Sequence, residues 1–266
     1  MKISGFTFIR NAIKNDYSIV EAITSILPIC DEFVVAVGQS EDHTLGLIQG
    51  IKSDKIRIIE TIWDDTKREG GHVFALETDK AYQAISPDTD WAFYIQGDEV
   101  VHEKYHDTIR KSCELHLKDK KVLGLVFGYV HFYGTYDYYG DSRRWYNKEI
   151  RIIRNDKRIQ SFRDAQGFRI NDKRLPSKLI DAQVYHYGWV KNPALMDKKL
   201  RTLSTNWMGK SMKERLDNMQ GVFNYDEFDS LEKFNGTHPS VMHDRIQKMN
   251  WKLNFDPTKL KAGLKF

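Results

Sequence analysis

Four apolar strand-like runs in the first 100 residues, each ending in a polar cluster, constrain this chain more than any other feature. Ile3 to Ile9 ends at Arg10-Asn11, and Phe33-Val34-Val35-Ala36-Val37 runs into Gly38-Gln39-Ser40-Glu41-Asp42. Lys55 to Ile62 leads to Asp64-Asp65, and Trp91 to Ile95 to Gln96-Gly97-Asp98-Glu99. A short unbroken apolar run marks a strand buried on both faces. Between the runs, Ser18 with Glu21 reads as a capping box opening a helix that Pro28 closes. Further helices are predicted over about 42–51, 73–85 and 103–117. The alternation predicts an α/β fold with a mostly parallel, right-handed sheet and helices on both faces. Such sheets bind ligands at the carboxyl ends of their strands, where all four polar clusters lie.

The second half reads differently. Val122–Tyr133, Ile150–Arg154 and Ala182–Tyr187 are predicted strands, and nine aromatics fall between Phe127 and Tyr146. From about Pro193 the pattern turns helical, over Ala194–Leu203, Met212–Met219 and Asp226–Phe234. With no repeat or low-complexity linker, 266 residues suit one continuous domain over 1–192, with halves 1–100 and 101–192, and a helical C-terminal extension over 193–266. Two cysteines without CxxC spacing speak against a disulfide framework or a Cys-rich zinc site. No apolar run approaches the ~20 residues of a membrane-spanning helix, and the N-terminus lacks the pattern of a signal peptide. The expected location is cytoplasmic, at the inner face of the membrane if the Lys-rich tail Trp251–Phe266 touches anionic lipid.

Several ordered motifs carry a resemblance. Thr7-Phe8-Ile9-Arg10-Asn11, Ser25 to Val35, the Gly38-to-Thr44 turn and the apolar strand before Asp98-Glu99 are similar to the start of family 2 glycosyltransferases of the GT-A fold, especially the bacterial lipopolysaccharide-core and capsule type. The likeness covers about residues 3–100, and more loosely the strands to about 190. It implies a hexosyl transfer from a nucleotide-diphosphate sugar, a UDP-sugar first, to a glycan or glycolipid hydroxyl, with inversion. It implies Mn²⁺ or Mg²⁺, because hard oxygen ligands hold such ions against diphosphate.

By that resemblance Asp98 matches the last acidic residue of the family's DxD motif, with Glu99 beside it, and Gln96 stands where the first Asp usually lies. Gln96 and Gly97 then belong to the donor site, as do Arg10, Asn11, Ser40, Asp42 and Asp65. His186, leaving an apolar strand late in the chain, resembles the residue that completes the metal site. Asp164 sits where inverting relatives place the base that takes the acceptor proton, with Asp141 in reserve. Trp145 and Arg144 are the expected acceptor contacts.

Two other readings compete. A GT-A-like module that binds nucleotide-sugar or glycan without turnover is motivated by Gln96 and by a second turn one residue longer than the family pattern. His102-Glu103-Lys104-Tyr105-His106 fits the HExxH zinc-protease motif, but Lys104 and Asp107 charge a helix that is usually buried there. The net charge of +4 gives no case for nucleic acid. It conceals a stretch, 143–178, with 12 Lys+Arg against 4 Asp+Glu, which suggests an anionic acceptor or leaving group.

Overall fold

The computed structural model describes residues 1–206, 223–226, 228 and 230–253. Strands β1 (Ile3–Ile9), β2 (Glu32–Gly38), β3 (Ile56–Thr61) and β4 (Trp91–Tyr94) form a parallel set in the order β3-β2-β1-β4. Helices α1 (Ile19–Ile26), α2 (Thr44–Gln49) and α3 (His72–Gln83) connect them, and α4 (His106–His116) follows. Alternate residues of β2 explain its unbroken apolar run. Phe33, Val35 and Val37 pack with Ile19, Ile23 and Ile26 of α1, while Val34 and Ala36 pack with Ala81 and Tyr82 of α3. Both faces are covered by helices, so no position along the strand is free to be polar.

Beyond β4 the sheet becomes mixed. β8 (Lys148–Arg154) lies antiparallel between β4 and β6 (Gly124–Tyr133), and β12 (Ser177–Trp189) runs parallel to β6. The short β5 (Glu99–Val101) pairs antiparallel with β12, in the register His186 opposite Glu99. β7 (Tyr138–Gly140) joins β6 near Phe132. A separate small sheet holds β9 (Gln160–Phe162), β10 (Gly167–Ile170) and β11 (Lys173–Arg174). This is the Rossmann-like α/β architecture expected of a GT-A fold, with the parallel strands confined mainly to the first half.

The C-terminal region departs from the helical expectation. Helix α5 (Pro193–Asn206) begins where predicted, but Leu231–Lys233 forms strand β13, paired with β7, instead of the predicted helix over 226–234. A half-apolar segment pays no penalty for strand geometry when an open sheet edge offers its hydrogen bonds. Met242 packs with Phe132, Tyr185 and Tyr187, so this region rests on the sheet. The predicted helix over 212–219 and the tail from 254 lie outside the described residues. Ser18 precedes α1 but makes no side-chain cap; its hydroxyl donates to the Gly97 carbonyl at 3.3 Å. No helix among the described residues is long and apolar enough to cross a membrane.

Candidate active site

A cleft of about 370 Å³ opens at the carboxyl ends of the parallel strands. Arg10, Asn11, Asp65, Gln96, Gly97 and Asp98 line it, as does Asp164 from the β9–β10 loop. Four separate sequence clusters thus meet in one place.

At one end stands an aromatic wall that sequence reasoning missed. Trp63 follows β3 and packs against Phe8 and Phe74, and the Arg10 guanidinium lies 5.3 Å from its ring centre. Arg10 Nη1 donates to Asp65 at 3.0 Å. Hydrogen bonding from Arg68, and then Arg10, holds the Asp65 carboxyl below the usual range against the opposing effect of burial. Arg10 Nε and Trp63 Nε1 are buried donors without partners among the described residues. Unpaired buried donors are rare in proteins, and Trp63 Nε1 packs against Gly38, where a Cβ would collide with it. The available signal was an indole among acidic residues at a strand's end.

Ser40 and Asp42 do not reach the cleft. Ser40 Oγ accepts from Asn11 N at 3.0 Å, and Asp42 accepts from Lys14 N at 2.7 Å and Thr44 N at 3.0 Å. Asn11, at a left-handed φ of 54°, accepts from Glu41 N at 2.7 Å through its side chain. These bonds tie the first loop to the second, so Ser40 and Asp42 shape the cleft without lining it, while Asn11 does both.

The acidic pair after β4 divides in two. Asp98 faces the cleft, and the pairing of β5 with β12 brings its Oδ2 to 3.9 Å from His186 Nε2. Lys199 of α5 reaches the same oxygen at 3.5 Å. Burial raises the Asp98 pKa, but His186, Lys199 and Lys191 outweigh it and hold the carboxyl below the usual range. Burial likewise lowers the pKa of His186, against the pull of Asp98 and Glu99.

Glu99 turns the other way and is fully buried. Its Oε1 accepts from Arg151 Nη2 at 2.7 Å and the Tyr129 hydroxyl at 2.7 Å. Its Oε2 accepts from Arg151 Nε at 2.9 Å and Gln96 N at 3.1 Å. Both oxygens are saturated by protein donors, which removes Glu99 from the expected metal ligands. It anchors the loop instead.

Among the described residues no three His, Cys, Asp or Glu side chains form a metal cage. Asp98 and His186 supply one carboxylate oxygen and one imidazole nitrogen, a donor pair suited to Mn²⁺ or Mg²⁺ when other ligands come from diphosphate and water. Gly188 keeps the space beside them open: a Cβ there would lie 2.6 Å from His186 Nε2 and 2.7 Å from Asp98 Oδ2. The residues present therefore fit a divalent cation.

Asp164 is exposed in the cleft, between Arg163 and Ala165 at left-handed φ of 57° and 65°. It makes no ion pair with Arg163 or Arg169 among the described residues. Gly71, at φ 76°, admits this loop to the start of α3, because a Cβ there would lie 2.6 Å from Asp164 Cβ. Gln96 Nε2 donates to the Ala165 carbonyl at 3.2 Å and so holds the Asp164 loop. Asp141 is exposed and lines neither this cleft nor the second cavity.

That second cavity, about 360 Å³, is lined by Arg163, Arg169, Arg174, Gln166, Glu149 and Asp172, among others. Glu149 accepts from Gln166 at 2.8 Å, and burial raises its pKa. Trp145 stacks on His131 at 5.1 Å, next to His186, while Arg144 is exposed on the same loop.

The HExxH reading fails on geometry. His102 Nε2 is bonded to Thr237 Oγ1 at 2.9 Å, and His106 Nε2 donates to the Ser25 carbonyl at 2.7 Å. His102 precedes the helical turn in extended conformation, so the two rings do not share a helix face.

No family model matches the chain, and no curated protein sequence does. Solved structures resemble it at low identity. Staphylococcus aureus TarS is 14% identical with a TM-score of 0.42, over 81% of this chain and 42% of that one. Residues 1–349 of S. aureus TarS in complex with UDP are 13% identical at 0.41, over 81% and 69%. Glucosyl-3-phosphoglycerate synthase from Mycobacterium tuberculosis, with Mn²⁺, UDP and phosphoglyceric acid, is 18% identical at 0.32, over 49% and 43%. The chain spans less than half the length of the first of these structures.

Proposed function

We propose that this chain is a glycosyltransferase that moves a sugar from a nucleotide-diphosphate-sugar donor, a UDP-sugar, to an acceptor hydroxyl on a glycan or glycolipid. The observation that carries the reading is the order of groups along one cleft: the Trp63–Arg10 wall, Asp98 with Lys199 and with His186 3.9 Å behind it, and the exposed Asp164 carboxylate. Trp63 stacks the base, and Asp65 receives a base or ribose donor. Lys199 offers an ammonium to the diphosphate. Asp98 and His186 would hold Mn²⁺ or Mg²⁺, which when bound offsets the charge of the departing nucleotide diphosphate. Asp164 takes the proton of the attacking hydroxyl, in a single displacement that inverts the anomeric centre.

The acceptor carries an anionic group. The cavity with Arg163, Arg169 and Arg174 adjoins the Asp164 loop, and burial raises the pKa of Glu149 there. Guanidinium groups match phosphate and carboxylate through paired hydrogen bonds.

The test is a thermal-shift panel of UDP-, GDP-, CMP- and dTDP-sugars with and without Mn²⁺, followed by transfer assays on the donor that binds. Selective stabilisation by one metal-supported donor, lost in Asp98→Ala, is expected. A stable Asp164→Asn variant should bind that donor normally but transfer at least ~100-fold more slowly. Donor binding without any transfer or hydrolysis would favour a non-catalytic module, and donor binding indifferent to Asp98→Ala would remove this site.

A further inference from the structure

His131, on β6, touches neither Asp98 nor the cleft lining, yet it determines what His186 can present to them. Its Nε2 lies 2.7 Å from the Tyr146 carbonyl oxygen. A carbonyl oxygen only accepts, so this nitrogen carries a proton. Its Nδ1 lies 3.1 Å from His186 Nδ1, a separation that requires one proton between the two rings.

The His131 ring is 2% exposed and packed against Trp145, Tyr129 and Tyr146, with the Arg151 charge nearby. Among the described residues its ring nitrogens meet only the Tyr146 carbonyl and His186, with no carboxylate bonded to either, and a buried ring without a carboxylate partner holds one proton and not two. Its single proton is already committed to Tyr146, so the bridging proton belongs to His186 Nδ1. In neutral His186 the Nε2 is then bare. It faces the Asp98 carboxylate across 3.9 Å, beside the space that Gly188 leaves open. Two acceptors face each other there; the Lys199 ammonium lies 3.5 Å from Asp98 Oδ2 but has no bond to His186 among the described residues, so a divalent cation would be the group that satisfies both.

We propose that His131 is a positioning residue that locks His186 in the Nδ1-protonated tautomer, so that the His186 Nε2 lone pair and Asp98 together receive a divalent cation. The proposal rests on the metal reading above. It also ties the cation to the acceptor side, since the carbonyl that sets the relay belongs to the loop carrying Trp145.

Nitrogen-15 NMR of the histidine rings in the full, metal-free chain reads the tautomer directly, and calorimetric titration with Mn²⁺ alone reads the consequence. Wild type is expected to show His186 protonated at Nδ1 and bare at Nε2. His131→Phe should lose that fixed tautomer and bind Mn²⁺ about 10- to 100-fold more weakly, as for other outer partners of metal ligands. His131→Gln can donate to Tyr146 through its amide nitrogen and accept from His186 through its oxygen. It should retain the tautomer and bind within a few-fold of wild type. A wild-type His186 protonated at Nε2 overturns the proposal, as does a folded His131→Phe with unchanged Mn²⁺ affinity. If His131→Phe does not fold, the wild-type spectrum and His131→Gln still decide. Absence of Mn²⁺ binding by wild type overturns the metal reading itself, whereas the metal-free spectrum judges the relay separately.

Discussion

Gly188→Ala tests the cation site with the smallest possible change. Gly188 is buried in β12, and its φ is outside the left-handed region, so alanine meets no backbone strain. The added methyl would lie 2.6 Å from His186 Nε2 and 2.7 Å from Asp98 Oδ2. Non-bonded carbon contacts are comfortable near ~3.5–4.0 Å, so the ligand pair must give way by about 1 Å. Metal ligands tolerate only about 0.2 Å of error in their distances. The cavity that would hold the cation is thus filled and its ligands displaced by several times the tolerance. Losing an outer partner of a metal ligand costs about 10- to 100-fold in affinity, so Mn²⁺ binding should weaken by at least ~100-fold. Overpacking should cost about 1–3 kcal/mol of stability, small enough to leave the chain folded. Calorimetric titration with Mn²⁺ reads the affinity, and thermal unfolding in chelator reads the fold. A folded Gly188→Ala with wild-type Mn²⁺ affinity would refute the placement of the cation between Asp98 and His186.

Trp63→Ala removes the stacking surface and should weaken nucleotide binding by about 1–3 kcal/mol, roughly 5- to 150-fold, as calorimetry with UDP would show; unchanged affinity would move the base elsewhere. Arg151→Met leaves Glu99 buried and unpaired and should cost about 3–5 kcal/mol in urea unfolding, most of it recovered in Arg151→Met/Glu99→Gln; no recovery would mean the pair is not the cause. Asp79 accepts from Ser161 N at 2.7 Å, and burial pushes its carboxyl up to about 6. A carboxyl whose folded pKa exceeds its unfolded value penalises folding above the folded pKa, and the penalty vanishes below the unfolded one. Asp79→Asn keeps the acceptor and should stabilise the chain at pH 7.5 by about 1–2 kcal/mol after allowance for solvent screening. That gain should fade as pH falls from 6 toward 4, and a gain independent of pH would remove the explanation.

The parallel half of the fold was legible because its strands are buried on both faces, which forces unbroken apolar runs such as Phe33–Val37. β13 was not, because a three-residue strand is determined by the free edge of β7 and not by its own pattern. In the site, Arg10, Asn11, Asp65, Gln96, Gly97 and Asp98 reach the cleft as the polar strand ends suggested, and Asp164, expected from the resemblance and not from a strand end, lines it too. Ser40 and Asp42 occupy the right turn, but their side chains satisfy backbone donors of the neighbouring loop, a choice that depends on where residues 11–14 fold. Lys199 meets Asp98 across 101 positions of sequence, and His131 lies within an aromatic strand. Neither carries a local signal, because the role of each comes only from its partner.

The division of Asp98 from Glu99 follows from the turn between β4 and β5. Glu99 N donates to the Gln96 carbonyl at 3.1 Å, which closes a turn that holds Asp98 at the cleft. Glu99 opens β5, whose three residues are all buried, and so enters the protein. A bare carboxylate there would be prohibitively unstable, and Arg151 is placed to prevent it through two hydrogen bonds at 2.7 and 2.9 Å. The buried pair then fixes the backbone of β5 against β12, and with it the approach of Asp98 to His186. Glu99 thus supports the cleft by geometry, its oxygens being taken by Arg151 and Tyr129. That role depends on the hydrogen bonds of the ion pair more than on the charge of Glu99. Glu99→Gln, which keeps an acceptor for Arg151 and Tyr129, should therefore preserve Mn²⁺ affinity far better than Arg151→Met. Equal loss in the two variants would return Glu99 to the list of ligands.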